Sequence, residues 1–397
     1  MNTLLDRGVK PQAQDGYRVN LPTKKILRVL AASAIVLAGL LVVAFTSRPA
    51  TKDYISYWSA GNLLIHHSDP YSPATVFALE KAHGYSENRP IIMRNPPWAL
   101  FLVAPLGFVN PVIGLLLWTI AAVACIVGFI RLTNVPSEDR VFAFLFAPAL
   151  CAFCTGQSSP FLLLGFSLFL RYCQRRPFLA GVSLLFMAIK PHLFVVFWMV
   201  LLVDCIYRRR PLVLIGGLSA IATGTAFAMS LDAHIWQRYF AMLRAATLDT
   251  EFFPTISMLF RLFVHSSATW LLFVPSALAI LWGIWYYAHN RRVWDWRIHG
   301  MLLMLVTVLV SPYGWFSDEI VLLPSLAFAV TAPDRRKYSL KALVAINGVA
   351  LLVLLAAHAT LTSGGYVWTP LAWWAWFLYA TSRMVKTECP KDRRAIG

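Results

Sequence analysis

A few polar residues interrupt this apolar chain where chemistry would need them. Asp53 opens the run Asp53-Tyr-Ile-Ser-Tyr-Trp-Ser-Ala-Gly61, just beyond the first hydrophobic stretch. A carboxylate beside aromatic rings, at the mouth of a bundle with little other charge, is where an enzyme acting on a lipid-linked substrate keeps its base. An aspartate at a helix start also caps free backbone N–H groups, and spacing alone leaves both roles open. Arg94, in Arg94-Asn95-Pro96-Pro97-Trp98, either grips a phosphate through its planar fork or snorkels to lipid headgroups. Lys190, in Lys190-Pro191-His192, interrupts the apolar stretch 178–207. A lysine at membrane depth is costly enough to demand a counter-charge, a cavity or a polar ligand, unless it reaches lipid phosphates from a helix end. Asp318 closes Ser311-Pro312-Tyr313-Gly314-Trp315-Phe316-Ser317-Asp318 and opens the next apolar run, where capping alone is again an open role.

The elements that must position these residues are membrane helices. Hydrophobic residues make up 58% of the 397, charged residues 13%, and mean hydropathy is +0.63, more apolar surface than a soluble domain can cover. A bilayer core about 30 Å thick takes about 20 apolar residues per helix. The runs fall at 26–46, 97–130, 141–154, 160–172, 178–190, 192–207, 211–230, 268–288, 297–310, 318–332, 340–360 and 367–382. They predict an all-α polytopic protein of about twelve crossings. Asn110-Pro111 within 97–130 marks a break, so 97–109 also reads as a separate re-entrant or interfacial segment. Residues 1–23 form a polar tail, 24–382 one transmembrane domain and 383–397 a basic tail. The first run reads as a retained anchor, lacking a small-residue cleavage site.

The net charge of +17 follows from topology rather than from nucleic-acid binding. With the N-terminus cytoplasmic, 26 of the 35 Lys and Arg fall on inner segments, and the other nine face nine Asp and Glu outside. Both termini are then inside, and Asp53, Arg94, Gly156-Gln157, Lys190 and Asp318 all lie at the outer face. The largest outer loop, 47–96, spaces Tyr54, Tyr57, Trp58, Gly61 and Ile65 as a helix lying in the interface. Asp69-Pro70-Tyr71-Ser72-Pro73 is a turn signal. Cys151-x-x-Cys154 reads as small apolar packing, and Asp249-Thr-Glu251 as solvated surface rather than a metal site. No P-loop, nucleophile elbow, zinc-protease or dinucleotide fingerprint occurs.

Taken in order, the motifs are Asp53-Tyr-x-x-Tyr-Trp-x-Ala-Gly61, Asp69-Pro-Tyr71, Pro96-Pro97-x-Ala-Leu-x-x-x-x-Pro105-Leu, Gly156-Gln157, Lys190-Pro191, and Ser311-Pro312 with Asp318. This series, over about residues 50 to 325, resembles the polytopic glycosyltransferases of family 87. Two positions depart from the family pattern: Asn95 stands where an aromatic often precedes Pro-Pro, and Tyr313 where a histidine often follows Ser-Pro. The resemblance implies a GT-C-type bundle similar to the polyprenyl-phosphate-mannose-dependent mannosyltransferases. It implies a metal-independent, inverting transfer of a hexose, without a cofactor, from a polyprenyl-phosphate donor to a lipid or glycan acceptor at the outer face of the plasma membrane. In that frame Asp53 matches the catalytic base. Arg94, Lys190, His192 and Arg261 are the candidate donor-phosphate ligands, and Tyr57, Trp58, Asn95, Gln157, Tyr313, Trp315 and Asp318 the candidate substrate contacts. A lipid or lipid-linked-sugar transporter or flippase is the alternative, although broken helices in matched halves are not evident.

Overall fold

The computed structural model describes residues 53–133, 135, 140–245, 252–331, 339–356 and 363–382. The expected first span 26–46, both tails, Asp249 and Glu251 lie outside the described residues. All regular structure in the described residues is helical. The principal helices are α1 (Tyr54–Ile65), α2 (Pro73–Ala82), α3 (Pro111–Leu132), α4 (Ala147–Thr155), α5 (Ser159–Tyr172), α6 (Pro177–Met187) and α7 (Val195–Tyr207). They are followed by α8 (Pro211–Leu231), α9 (Ile256–Val264), α10 (Val274–Asn290), α11 (His299–Leu309), α12 (Leu323–Thr331), α13 (Ser339–Ala356) and α14 (Thr369–Thr381).

Proline sets many of the starts. α2, α3, α6 and α8 each begin on a proline, whose missing N–H is not needed in a first turn and whose φ is already helical. The expected run 97–130 is broken at Val109–Asn110, giving a short irregular helical segment over Pro97–Phe108 and then α3. The Asn110 side chain accepts from the N–H groups of Val112 and Ile113, so the separate-segment reading of 97–109 is the one realised.

Four helical stretches are long and apolar enough to cross a membrane: Pro111–Leu132, Pro211–Leu231, Thr269–Asn290 and Ser339–Ala356. The others are shorter, and for a physical reason. At 1.5 Å per residue, α5 with 14 residues reaches only about 21 Å, short of a core about 30 Å thick. Polar turns stand at the ends of these short helices. Gly156–Ser158 joins α4 to α5, Lys190 precedes the 3₁₀ turn that leads into α7, and Ser311–Trp315 separates α11 from the 3₁₀ turn Phe316–Leu322. α5 lies at the centre, packed against α3, α6 and Phe316–Leu322.

The basic connections gather at the other ends of these helices. Arg208 donates to the carbonyls of Arg291 (2.9 Å) and Trp294 (3.0 Å), and Arg297 to Gln174 Oε1 (2.9 Å). Asp204 pins this end, accepting from Arg208, Tyr287 and Trp296.

The helix expected to lie in the interface is enclosed instead. α1 buries residues on every face, including Tyr54, Tyr57, Trp58, Ser59 and Gly61, and docks on Ala104–Phe108. A Cβ on Gly61 would stand 2.1 Å from the Val103 carbonyl oxygen, and one on Gly107 2.6 Å from the Gly61 carbonyl carbon. Two glycines therefore let the backbones meet, which fixes where Asp53 begins its helix.

Candidate active site

Asp53 sits at the start of α1, but its carboxylate does not cap it: the side chain makes no bond to the first-turn N–H groups. The backbone carbonyl does that work, accepting from Ser56 N (3.1 Å) and Ser56 Oγ (2.7 Å). The carboxylate is thereby released, and Asp53 Oδ2 accepts a 2.6 Å bond from Gln157 Nε2.

Gln157 follows Gly156, whose left-handed φ of 71° ends α4. A side chain at Gly156 would stand 2.5 Å from Tyr54 Cβ, so the turn needs glycine both for its backbone and for α1's approach. Trp118 Nε1 donates to the Gly156 carbonyl (2.8 Å), while the Trp118 ring stacks on Tyr57 with centroids 5.3 Å apart. Held this way, Gln157 Oε1 accepts from Tyr57 OH (3.0 Å) and Lys190 Nζ (3.1 Å).

Lys190 is buried and meets its counter-charge: Nζ lies 2.6 Å from Asp318 Oδ1. Asp318 does two jobs. Oδ1 takes Lys190 and Ser159 Oγ (2.5 Å), and Oδ2 takes the Trp315 N–H (3.0 Å), capping the following 3₁₀ turn. Two of the ammonium's three donors are thus engaged, by Gln157 and Asp318, leaving one.

The segment 90–95 covers this network. Ile91 N–H donates to Glu80 Oε2 (3.2 Å), Tyr71 OH to the Asn95 carbonyl (2.9 Å) and Asn95 Nδ2 to the Ile189 carbonyl (2.8 Å). Trp98 Nε1 donates to the Ala188 carbonyl (2.8 Å), so the turn before Lys190 and the loop carrying Arg94 are sewn together.

Between them lies a cavity of about 390 Å³. Asp53, Tyr57, Arg94, Asn95, Gln157, Lys190, His192, Tyr313, Trp315 and Asp318 all line it. His192 stacks on Tyr313 with centroids 3.6 Å apart, and Phe253 and Tyr366 complete an aromatic wall. Burial pushes the Asp53 carboxyl above the usual aspartate range, against the opposing pull of Gln157 and Lys190.

Two expected site residues are elsewhere. Arg261, on α9, donates to the Ser266 carbonyl (2.7 Å) and does not line the cavity, because its helix turns that face toward its own C-terminal loop. Trp58, one residue past Tyr57 and so about 100° around α1, donates to the Val109 carbonyl (2.8 Å) and packs edge-on to His83. Sequence reasoning missed Ser159, Phe253, Tyr366 and Glu80. Only Ser159 stands near a motif, two residues after Gly156-Gln157, and nothing there separates it from Ser158.

An acid–amide–cation chain thus lies at one end of a bundle that contains helices long and apolar enough to cross a membrane. The chain is a member of glycosyltransferase family 87, whose profile matches residues 94–312. That match spans Arg94, Gln157, Lys190 and His192, and ends short of Asp53 on one side and Asp318 on the other. No curated protein and no solved structure matches the chain.

Proposed function

We propose that this glycosyltransferase uses a polyprenyl-phosphate sugar, a mannose-like hexose, and passes it with inversion to a hydroxyl of a lipid or glycan acceptor. The supporting observation is Asp53: a partly buried carboxylate free of capping duty, lining the cavity and joined through Gln157 to the Lys190–Asp318 pair.

An alcohol is a weak nucleophile until its proton is taken. As its oxygen bonds to the anomeric carbon, the proton passes to Asp53, an effect of about 10²- to 10⁴-fold. The bond from that carbon to the phosphate oxygen breaks, and its electron pair leaves on the polyprenyl phosphate. A basicity above that of an ordinary aspartate suits the role. The charge growing on the leaving phosphate is met by Arg94 and by the remaining Lys190 donor, with His192 beside them. Arg261 has no part in this step. Tyr57, Tyr313 and Trp315 offer faces for the sugar or the lipid chain, with Asn95, Gln157 and Asp318 as polar contacts. A donor with one phosphate and fixed cations at hand needs no metal.

The same reading puts this end of the bundle at the outer face of the plasma membrane, within a GT-C-type arrangement of about twelve crossings, because the basic connections lie at the other end. The test is purified protein given a polyprenyl-phosphate hexose and an acceptor extract, assayed for released polyprenyl phosphate. Release that depends on the acceptor supports the reading. Movement of intact donor across vesicles without release would make the protein a flippase.

A further inference from the structure

Glu80 is an acid in a position that ordinarily takes an apolar residue. α2 ends on a left-handed glycine, Gly84 at φ 87°, whose N–H donates to the Lys81 carbonyl (3.1 Å) while the Tyr85 N–H donates to the Glu80 carbonyl (3.0 Å). In a helix ending of this kind the side chains at the places of Glu80 and Tyr85 pack together, and the contact is commonly hydrophobic. Here Tyr85 is buried and Glu80 is 0% exposed. A carboxyl shut into that slot is costly, and only one of its oxygens is compensated. Oε2 accepts the Ile91 N–H at 3.2 Å, while Oε1 has no hydrogen-bond partner among the described residues. A leucine would close the helix at less cost. What the acid adds, and leucine cannot, is an acceptor for Ile91.

Ile91 stands near the start of the segment that covers the candidate active site, and residues 90–95 all line its cavity. The segment is pinned at two points four residues apart. Glu80 holds Ile91; at the other point the Asn95 carbonyl accepts from Tyr71 OH (2.9 Å) and Asn95 Nδ2 donates to the Ile189 carbonyl (2.8 Å). Tyr71 lies just before α2 and Glu80 in its last turn, so one short helix supports both pins. Arg94 sits between them. Upstream, residues 86–89 are exposed, so with Ile91 released the backbone leading to Arg94 would be held from the Asn95 side alone.

We propose that Glu80 is a positioning residue: through Ile91 it holds the strap 91–95 in place and thereby sets Arg94 at the cavity. Glu80 itself does not line the cavity and touches no reacting atom. The link to Arg94 rests on the transferase reading, whereas the latch between Glu80 and Ile91 does not.

The experiment uses the full-length chain in detergent at one fixed pH. Glu80→Leu supplies the apolar side chain that this helix ending favours and deletes the acceptor, so the melting temperature should match or exceed that of wild type. Hydrogen exchange of the amides at 91–95 should nonetheless speed up about tenfold, and kcat/KM for a polyprenyl-phosphate hexose should fall about tenfold. Glu80→Gln keeps an oxygen for Ile91 and should recover most of both. Glu80→Met, unbranched, makes the same comparison where Leu packs badly. Because Glu80 acts through Arg94, the double variant Glu80→Leu, Arg94→Gln should be no slower than Arg94→Gln alone. Unchanged exchange at 91–95 in Glu80→Leu overturns the latch, whatever the turnover. Wild-type kcat/KM in Glu80→Leu, or a tenfold loss repeated on top of Arg94→Gln, overturns the positioning of Arg94. Faster exchange in the variant of a protein whose wild type releases no polyprenyl phosphate upholds the latch and refutes the transferase reading instead.

Discussion

Replacing Asp53 with Asn separates a base from a structural residue. The amide keeps one oxygen, which can still accept from Gln157 Nε2 at the position now 2.6 Å away, so the chain of contacts through Lys190 to Asp318 survives. No capping bond is lost, because none exists. The change trades a charge-assisted hydrogen bond for a neutral one, about 1 kcal/mol, and relieves the cost of a buried charge that raises the carboxyl's pKa. These terms oppose each other, and the melting temperature in detergent should stay within a few degrees of wild type. Turnover should behave differently. An amide cannot take the acceptor's proton, and losing general-base catalysis costs about 10²- to 10⁴-fold, equivalent to about 2.7 to 5.5 kcal/mol of barrier. The assay pairs melting temperature and donor binding with polyprenyl-phosphate release across pH. In wild type, the rate should fall as pH drops through a value above the 3.8 of an ordinary aspartate, and this acid limb should be absent from the residual activity of the variant. A folded, donor-binding Asn variant retaining more than about a tenth of wild-type turnover would remove Asp53 from the chemistry.

Lys190→Gln and Arg94→Gln each remove a cation from the cavity at similar length, and turnover should fall by about one to two decades. Lys190→Gln should also lower the melting temperature, since it leaves Asp318 buried beside Ser159 without its ammonium. Gly61→Ala forces a methyl against the Val103 carbonyl and should destabilise the fold by about 1 to 3 kcal/mol, read as a lower melting temperature with weaker activity. Burial lifts Glu80 from 4.5 to about 7. Since the folded value is the higher one, Glu80's contribution is full below about 4.5 and is lost as pH rises through 7; the melting temperature of wild type should decline over that window and that of Glu80→Gln should decline less. Single cysteines at Glu87 or Gln157 should label with an impermeant reagent from outside and one at Arg209 should not; reversed labelling would place the cavity on the cytoplasmic side.

Much of the frame was legible because the bilayer imposes it. Apolar runs bounded by proline gave helix positions to within a few residues, as at Pro177–Met187 and Pro211–Leu231. Lys190 stood out because a charge at membrane depth is costly and needs a reason, whereas Arg94, Gln157 and Asp318 drew attention only through the order of the motifs that contain them. What periodicity could not resolve was rotation. Tyr57 and Trp58 are neighbours of similar character, and only the docking of α1 on Ala104–Phe108 decides which one faces the cavity. Arg261 was missed similarly: its helix of nine residues gives no register against the bundle. Long-range partners were beyond reach too. Tyr366 joins the aromatic wall through a stack on Phe316, 50 positions away, and nothing local to either residue announces it.

The amide at Gln157 has a consequence for how protons travel. Its nitrogen faces a carboxylate and its oxygen faces an ammonium, so its orientation is fixed by the charges on either side. An amide so held carries polarisation but does not relay a proton, and it works as an electrical insulator between Asp53 and Lys190. Without that spacer the acid and the lysine could collapse into a direct pair, and the acid would lose its basicity. With it, a proton that the proposed chemistry delivers to Asp53 has no path through Gln157 to Lys190. On that proposal it leaves by the mouth of the cavity, so that reset of the base and exchange of substrate would share one doorway.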